Sequence, residues 1–352
     1  MRRIALGAEI RNMIGEKEGS MEIGLVLVGY MDRPLTEALD VTLAHGITVV
    51  EPCGGGHFPD THYSPERLAK DPQALRSFAR EFEVRGMRIA AFACHGNPLH
   101  PDGGRRTTSR KSFEATCQIA SELGVTKVDV LSGVPGGGPQ DRVPNWIINS
   151  IFPDFQKAYE WQWNEQLIPY WTEAAVIAEK HGVTICMEPH GGDMVYDTDT
   201  FLRLRNVIGP TLRINVDPSH LFWLGIDPLR MVSDLGPGMV GYATVKDVVF
   251  RKDEIARNGL LPGCNYADWD KRSWTYRALG YGHPEEFWRQ FVSALRLAGY
   301  DEELAIEIED PYLTRDDAVR VSLDMMRRVM PRDPQPAGNW FDAYEWRAAD
   351  IE

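Results

Sequence analysis

Eight short β-rich runs recur along the chain, at 22–28, 47–51, 88–94, 127–132, 183–188, 212–217, 240–246 and 304–309, and helical patterns separate most of them. A serial βα rhythm of this kind either closes into a parallel barrel or opens into a doubly wound sheet. A parallel sheet covered on both faces needs strands that are apolar throughout, yet Leu212-Arg213-Ile214-Asn215-Val216-Asp217 alternates. In the last run Glu307 and Glu309 share one face, and Ile306 and Ile308 the other. Polar faces that converge on a common interior predict an α/β chain folded as a (β/α)8 TIM barrel. In that fold the C-terminal strand ends carry the chemistry. Glu51, Glu188, Asp217, Lys246 and Glu309 all stand at or near such ends.

The helical patterns carry their own boundaries. The segment 284–298 opens with Pro284, sets Phe287, Phe291, Leu295 and Ala298 on one stripe, and stops at Gly299. The segment 314–330 begins at Thr314, a good N-cap, and repeats Ala318, Val321, Met325 and Val329 before Pro331. Three regions fall outside the rhythm: an N-terminal arm at 1–20, and long insertions at 133–165 and 248–282. The barrel proper is therefore expected over 21–330. A tail at 331–352, rich in aromatic residues (Trp340, Phe341, Tyr344, Trp346), is expected to pack on the barrel or on a partner subunit.

Charge narrows the partners. The formal net charge of −13 repels phosphate backbones and anionic lipid, so neither nucleic acid nor a membrane is an expected partner. The arm has no apolar core resembling a secretory signal, and no apolar run is long enough to span a bilayer. Five cysteines without CxxC spacing suggest reduced thiols and a cytoplasmic location.

The strongest chemical signal is acidic. Glu188, Asp217, Glu307 and Glu309 are expected to face one centre from neighbouring strands. So many carboxylates cannot stay charged together unless something compensates them. A divalent cation would do so, and so would ion pairs with Arg213, Lys246 or Arg251. Oxygen ligands favour Mg²⁺ or Mn²⁺, and added imidazole shifts preference towards Mn²⁺, Co²⁺, Fe²⁺ or Zn²⁺. His190 and His220 follow Glu188 and Asp217 in strand-to-helix loops. His95, Asn97 and His100 follow the third strand, through a sharp turn that lets only part of the run face a pocket. Lys246 shares a face with Thr244, where it would stabilise an enolate oxygen or neutralise the acids. The glycine clusters 54–56 and 136–138 lack phosphate-loop spacing and read as flexible loop turns.

These motifs resemble the sugar phosphate isomerase/epimerase superfamily, whose members share a xylose-isomerase-like barrel. The resemblance is carried by CHGNPLHPD at 94–102, MEPH at 187–190, DPSHLFW at 217–223, VKD at 245–247, RSWTYRALGYGHPEEFW at 272–288 and AIEIED at 305–310. It implies a metal held by Glu188, Asp217 and Glu307, with Mn²⁺ the first choice. The family's histidine ligand falls at Thr244, a poor replacement for imidazole, so the site would be completed by water, His220 or His190, or would be lost. The resemblance further implies Glu188, Glu307, His95 and Lys246 as catalytic residues. It places His190, His220, Asn97 and Arg277 on a carbohydrate substrate. The implied reaction is isomerisation or epimerisation of a sugar, keto-sugar or polyol, through proton abstraction beside a carbonyl. The alternatives are a lyase acting on a 3-keto sugar, such as the alpha subunit of a C-glycoside deglycosidase, and a barrel that only binds. A homo-oligomer, or a hetero-oligomer with a smaller subunit, is the expected assembly.

Overall fold

A computed structural model describes residues 21–261 and 263–331. The 1–20 arm and the tail beyond Pro331 lie outside the described residues. Strands β1 (Glu22–Val26), β2 (Val49–Glu51), β3 (Arg88–Ile89), β4 (Phe92–Ala93), β5 (Lys127–Leu131), β6 (Thr184–Glu188), β7 (Leu212–Val216), β8 (Val240–Val245) and β11 (Glu303–Ile306) form one sheet in the order β3-β2-β1-β11-β8-β7-β6-β5-β4. Every pair is parallel. The two ends of that order, β3 and β4, are halves of one extended run interrupted at Ala90-Ala91. The Ala90 and Ala93 amides donate to Val50 and Pro52, and Cys53 bridges Ala93, so the sheet meets itself and the barrel closes. The predicted (β/α)8 TIM barrel is the observed fold.

Most boundaries agree with the sequence to within two residues, but the last strand does not. Its ladder ends at Ile306, one further bond runs from the Glu307 amide to Val245, and Glu309 belongs to the following loop. That loop position lets the Glu309 carboxylate fold back over the barrel mouth. The helices behave as their caps require. Thr314 accepts the Asp317 amide ahead of the helix Arg315–Val329, while Pro284 is the N-cap of Glu285–Leu297, one position earlier than expected.

The apolar interior has two layers. The large one lies between the strands and their surrounding helices. A smaller one fills the barrel lumen with Val26, Val49, Cys53, Ala91, Ala93, Cys186, Ala305 and one large ring, Tyr242. Such small residues leave the upper lumen free for polar side chains. Gly54 and Gly56, expected as flexible turns, are instead close-packing positions: a Cβ would strike the Tyr63 ring at Gly54 and the His95 carbonyl at Gly56.

The insertions have structure of their own. In the first, the helix Pro153–Trp161 and a π-turn at Gln162–Leu167 run into the helix Ile168–His181, and buried Gln162 donates to the Gly136 and Asn145 carbonyls. In the second, β9 (Asp247–Phe250) and β10 (Trp274–Arg277) form an antiparallel ribbon over the barrel's top rim.

At the opposite rim, buried Glu303 accepts hydrogen bonds from Lys127 at 2.6 Å and Arg88 at 2.8 Å. Burial alone would raise its carboxyl, but these two charges outweigh it and hold the group down to about 2. A depressed acid stabilises the fold above its ordinary range near 4.5 and loses that contribution as pH falls towards 2. The loss should be on the order of 3 kcal/mol. Glu303→Gln would take the buried carboxylate from Lys127 and Arg88, which keep only Glu302 and Glu22 nearer the surface, and should cost about 2–3 kcal/mol at neutral pH. Denaturant titrations across pH check this, and a change under about 1 kcal/mol would refute it.

Candidate active site

The polar residues of the upper lumen come from successive strand ends. Glu51 closes β2, His95 follows β4, Asp129 points inward from β5, and Glu188 closes β6. Asp217 and His220 follow β7, Thr244 and Lys246 lie at the end of β8, and Glu307 and Glu309 follow β11. Glu51, Asp129, Glu188, Asp217, His220, Thr244 and Lys246 are all buried.

Local folding fixes several of these groups. Asp217 is the N-cap of the helix Pro218–Trp223. Its Oδ1 accepts the Ser219 amide at 2.8 Å, which leaves Oδ2 towards the centre. The same short helix turns His220 back so that its Nε2 lies 3.4 Å from Asp217 Oδ2 and 3.8 Å from Glu188 Oε1. His220 Nδ1 meets the Tyr276 hydroxyl at 2.8 Å, and the Trp223 indole donates to that hydroxyl at 3.2 Å. The His190 ring stands 4.3 Å from the His220 ring, and its Nδ1 lies 3.3 Å from Asp193. His95 Nε2 is 2.8 Å from Asp129 Oδ2.

Lys246 is the principal internal cation. Its Nζ is 2.7 Å from Glu309, 3.0 Å from Glu307 and 3.4 Å from Asp217, and it lies 4.6 Å above the Tyr276 ring. Burial opposes its charge, but the three carboxylates prevail and hold it firmly protonated. Glu309 stands on an exposed loop position; desolvation by the surrounding protein raises its carboxyl, but Lys246 outweighs this and keeps it down to about 2. Glu307 goes the other way. Burial raises it to about 8 against the pull of Lys246, with Glu309 and Asp217 adding repulsion. Burial and neighbouring carboxylates also push Glu188 and Glu51 up. For His95 burial disfavours the imidazolium, but Asp129 more than compensates and raises it to about 9. His220 is driven the opposite way by burial and by its cationic neighbours, so it is neutral.

Two groups of side chains bring potential ligand atoms within 4.8 Å of one another: Glu188 with Asp217 and His220, and Glu188 with His95 and Asp129. The first fits a divalent cation well. Asp217 Oδ2 is buried without a hydrogen bond, its nearest charge being the Lys246 ammonium at 3.4 Å. The 3.4 Å gap between Nε2 and Oδ2 is close to the separation expected for two ligands with bonds of about 2 Å. In the tautomer that carries its proton on Nδ1, facing Tyr276, a neutral His220 has Nε2 free to ligate. Glu307 is occupied by Lys246 and falls outside this compact set. Thr244 takes a supporting part: its hydroxyl is 3.3 Å from Glu188 Oε1, and its amide donates to Asn215 at 3.1 Å.

Two expected substrate ligands are committed elsewhere. Asn97 joins two loops, donating to the Val134 carbonyl and accepting the Leu99 and Val134 amides. Arg277 is bonded to Asp310 at 2.8 Å and lies over the rings of Tyr281 and Tyr312. Asp129, Tyr276 and Asn215 belong to the centre but were absent from the sequence-derived candidates. Asp129 had a signal, because Lys127, Asp129 and Leu131 alternate with valines just as 212–217 alternates. Tyr276 had none, because it reaches His220 only through the β9–β10 ribbon.

The sequence profile of the xylose isomerase-like TIM barrel family matches residues 39–329. The chain is 34% identical over 313 residues to the uncharacterized protein YfiH of Bacillus subtilis (strain 168), covering 88% of this chain and 99% of that one. Among solved structures it is similar to the IOLI protein with a bound zinc atom, with a TM-score of 0.60, 16% identity, and coverage of 88% of this chain and 98% of that one. It is also similar to D-psicose 3-epimerase in the presence of D-fructose, with a TM-score of 0.57, 12% identity, and coverage of 88% and 99%. Among the described residues no helix is long and apolar enough to cross a membrane.

Proposed function

The chain belongs to the xylose isomerase-like TIM barrel family, and from that premise we propose that it is an isomerase or epimerase of a sugar, keto-sugar or polyol. The observation that carries this reading is the division of labour among the ionisable groups gathered around Lys246 at the barrel mouth. Glu307 and Glu309 share one ammonium, yet Glu309 is held near 2 and Glu307 near 8. Neighbouring carboxyls driven apart in this way supply an acid and a permanent anion at the same pH.

Glu188, Asp217 and His220 would hold a divalent cation. Their mixed oxygen and nitrogen set suits Mn²⁺, with Co²⁺, Fe²⁺, Zn²⁺ and Mg²⁺ as the alternatives. Such an ion, when bound, supplies Lewis-acid polarisation of a carbonyl. The protein's own groups do the rest. Burial and its acidic neighbours push Glu188 up, and a cation held beside it would restore the carboxylate, which accepts the proton beside the substrate carbonyl. Glu307, three strands away around the ring, returns a proton from its protonated carboxyl. Return to the opposite face gives an epimer, and return to the adjacent carbon gives an isomer. The Lys246 ammonium faces the negative charge that develops on the substrate oxygen. His95, kept protonated by Asp129, donates a hydrogen bond to a substrate hydroxyl.

Proton abstraction leaves a trace that does not require the product to be known. Protein incubated with a panel of ketoses in D₂O should place deuterium on the carbon beside the carbonyl of at least one of them, as read by NMR. No exchange in any member of the panel would sink the reading. Release of the aglycone from a 3-keto C-glucoside without an isomeric sugar would replace it with the lyase.

A further inference from the structure

A second cavity, of about 270 Å³, opens on the same rim and is lined in part by Trp146, Gly191, Gly192, Trp223, Tyr266, Arg272 and Trp274. It shares walls with the site above. Gly191 follows His190, the Trp223 indole donates to the Tyr276 hydroxyl that bonds His220, and the Tyr266 hydroxyl donates to Glu309 at 3.1 Å. Gly191 is required here, because a Cβ would fall within the Trp223 ring.

The cavity wall is built around one guanidinium. Trp223 and Trp274 stack at 4.7 Å with planes 11° apart. The Arg272 guanidinium lies 4.1 Å from the Trp274 ring centre and 4.2 Å from that of Tyr266. Arg272 therefore sits between two aromatic rings and is only 3% exposed. Its Nη1 donates to the Tyr266 carbonyl at 3.1 Å, while its Nη2 is buried with no hydrogen-bond partner. The Trp146 indole N–H, in the same wall, is likewise buried and unpartnered. Unpaired buried donors are costly, above all on a charged group. A planar guanidinium fixed by its neighbours is also the side chain best suited to an oxyanion.

We propose that this cavity anchors a carboxylate of the substrate on Arg272, with the Trp146 N–H as a second donor, so that the enzyme acts on acidic sugars. Arg272 is the one charged group among the described lining residues. One positive charge balances a monoanionic carboxylate, whereas a phosphate dianion would leave a buried negative charge. Overall the chain is negatively charged and repels anions, so selection for an acid has to come from a local, desolvated cation such as this one. The inference rests on reading the neighbouring site as a carbohydrate site and narrows its substrate class.

The test compares D-glucuronate with D-glucose, D-galacturonate with D-galactose, and D-glucose 6-phosphate with both neutral sugars, by calorimetric titration of the intact protein. At least one uronate should bind about tenfold or more tightly than its neutral partner. Arg272→Gln should abolish that preference, Trp146→Phe should reduce it about threefold, and the phosphate should gain nothing. Equal binding of uronate and hexose would overturn the proposal. So would a preference that survives in folded Arg272→Gln, or a preference for the phosphate. A purely structural role for Arg272 would lower stability and leave the uronate-to-hexose ratio untouched. If Arg272→Gln does not fold, an unchanged ratio in Trp146→Phe overturns the proposal instead. A uronate preference without deuterium exchange into any ketose would refute the isomerase reading alone. Exchange without a uronate preference would refute the carboxylate anchor alone.

Discussion

Glu188→Gln should lower kcat about 10³-fold or more and remove the bound divalent metal, while the protein stays folded. Glu188 is the residue common to both groups of side chains placed to hold an ion. It is also the proposed base, so one substitution removes a ligand and the proton acceptor together. The change preserves shape. The glutamine carbonyl can still accept from the Thr244 hydroxyl, which also lies 3.3 Å from Asn215. The metal-free fold should not suffer. Burial and the charges of Asp129 and Asp217 disfavour an ionised Glu188, so a neutral amide relieves repulsion there. Thermal unfolding in a chelator should therefore show the variant at least as stable as the parent. Elemental analysis of both proteins, paired with the exchange assay in D₂O, decides the matter. Unchanged turnover together with unchanged metal content would remove Glu188 from the mechanism and the acidic centre from consideration.

What the sequence made legible follows from periodicity. Alternation within 212–217 and 304–309 located the polar lumen, and eight βα units gave the closed barrel. The same pattern at Lys127, Asp129 and Leu131 would have brought Asp129 into the site. The aromatic wall was hidden for a different reason. Trp223 and Trp274 meet because β10 pairs with β9 across an intervening helix and turn, and no local period reports a long-range pairing. Asn97 was misleading for a third reason. A polar residue beside a pocket serves the loops as readily as a ligand, and here its side chain bonds backbone groups of both loops. Lys246 could be placed on the face of Thr244 from sequence, but its position among three carboxylates is a matter of distance.

That position leads to an opposing pair of effects. Lys246→Met should lower kcat about 10²–10³-fold and, at the same time, strengthen retention of a divalent cation. Without the ammonium, Asp217, Glu307 and Glu309 lose the charge that now compensates them, although Glu309 keeps its bond from Tyr266. Glu307 is then free to join Glu188, Asp217 and His220, which turns a set of three ligands into one of four. In a chelator the variant should be less stable than the parent by about 3–5 kcal/mol, the usual consequence of leaving buried charges unpaired. Added Mn²⁺ should restore most of that difference, because an ion that binds only the folded form stabilises it by mass action. A lysine that merely neutralised the acids would leave the Mn²⁺-loaded variant with near-parental turnover. A lysine that faces the developing oxyanion leaves a well-folded, metal-rich and slow protein. Unfolding curves with and without Mn²⁺, set beside single-turnover rates, separate the two, and full activity in the metal-loaded variant would withdraw Lys246 from the chemistry.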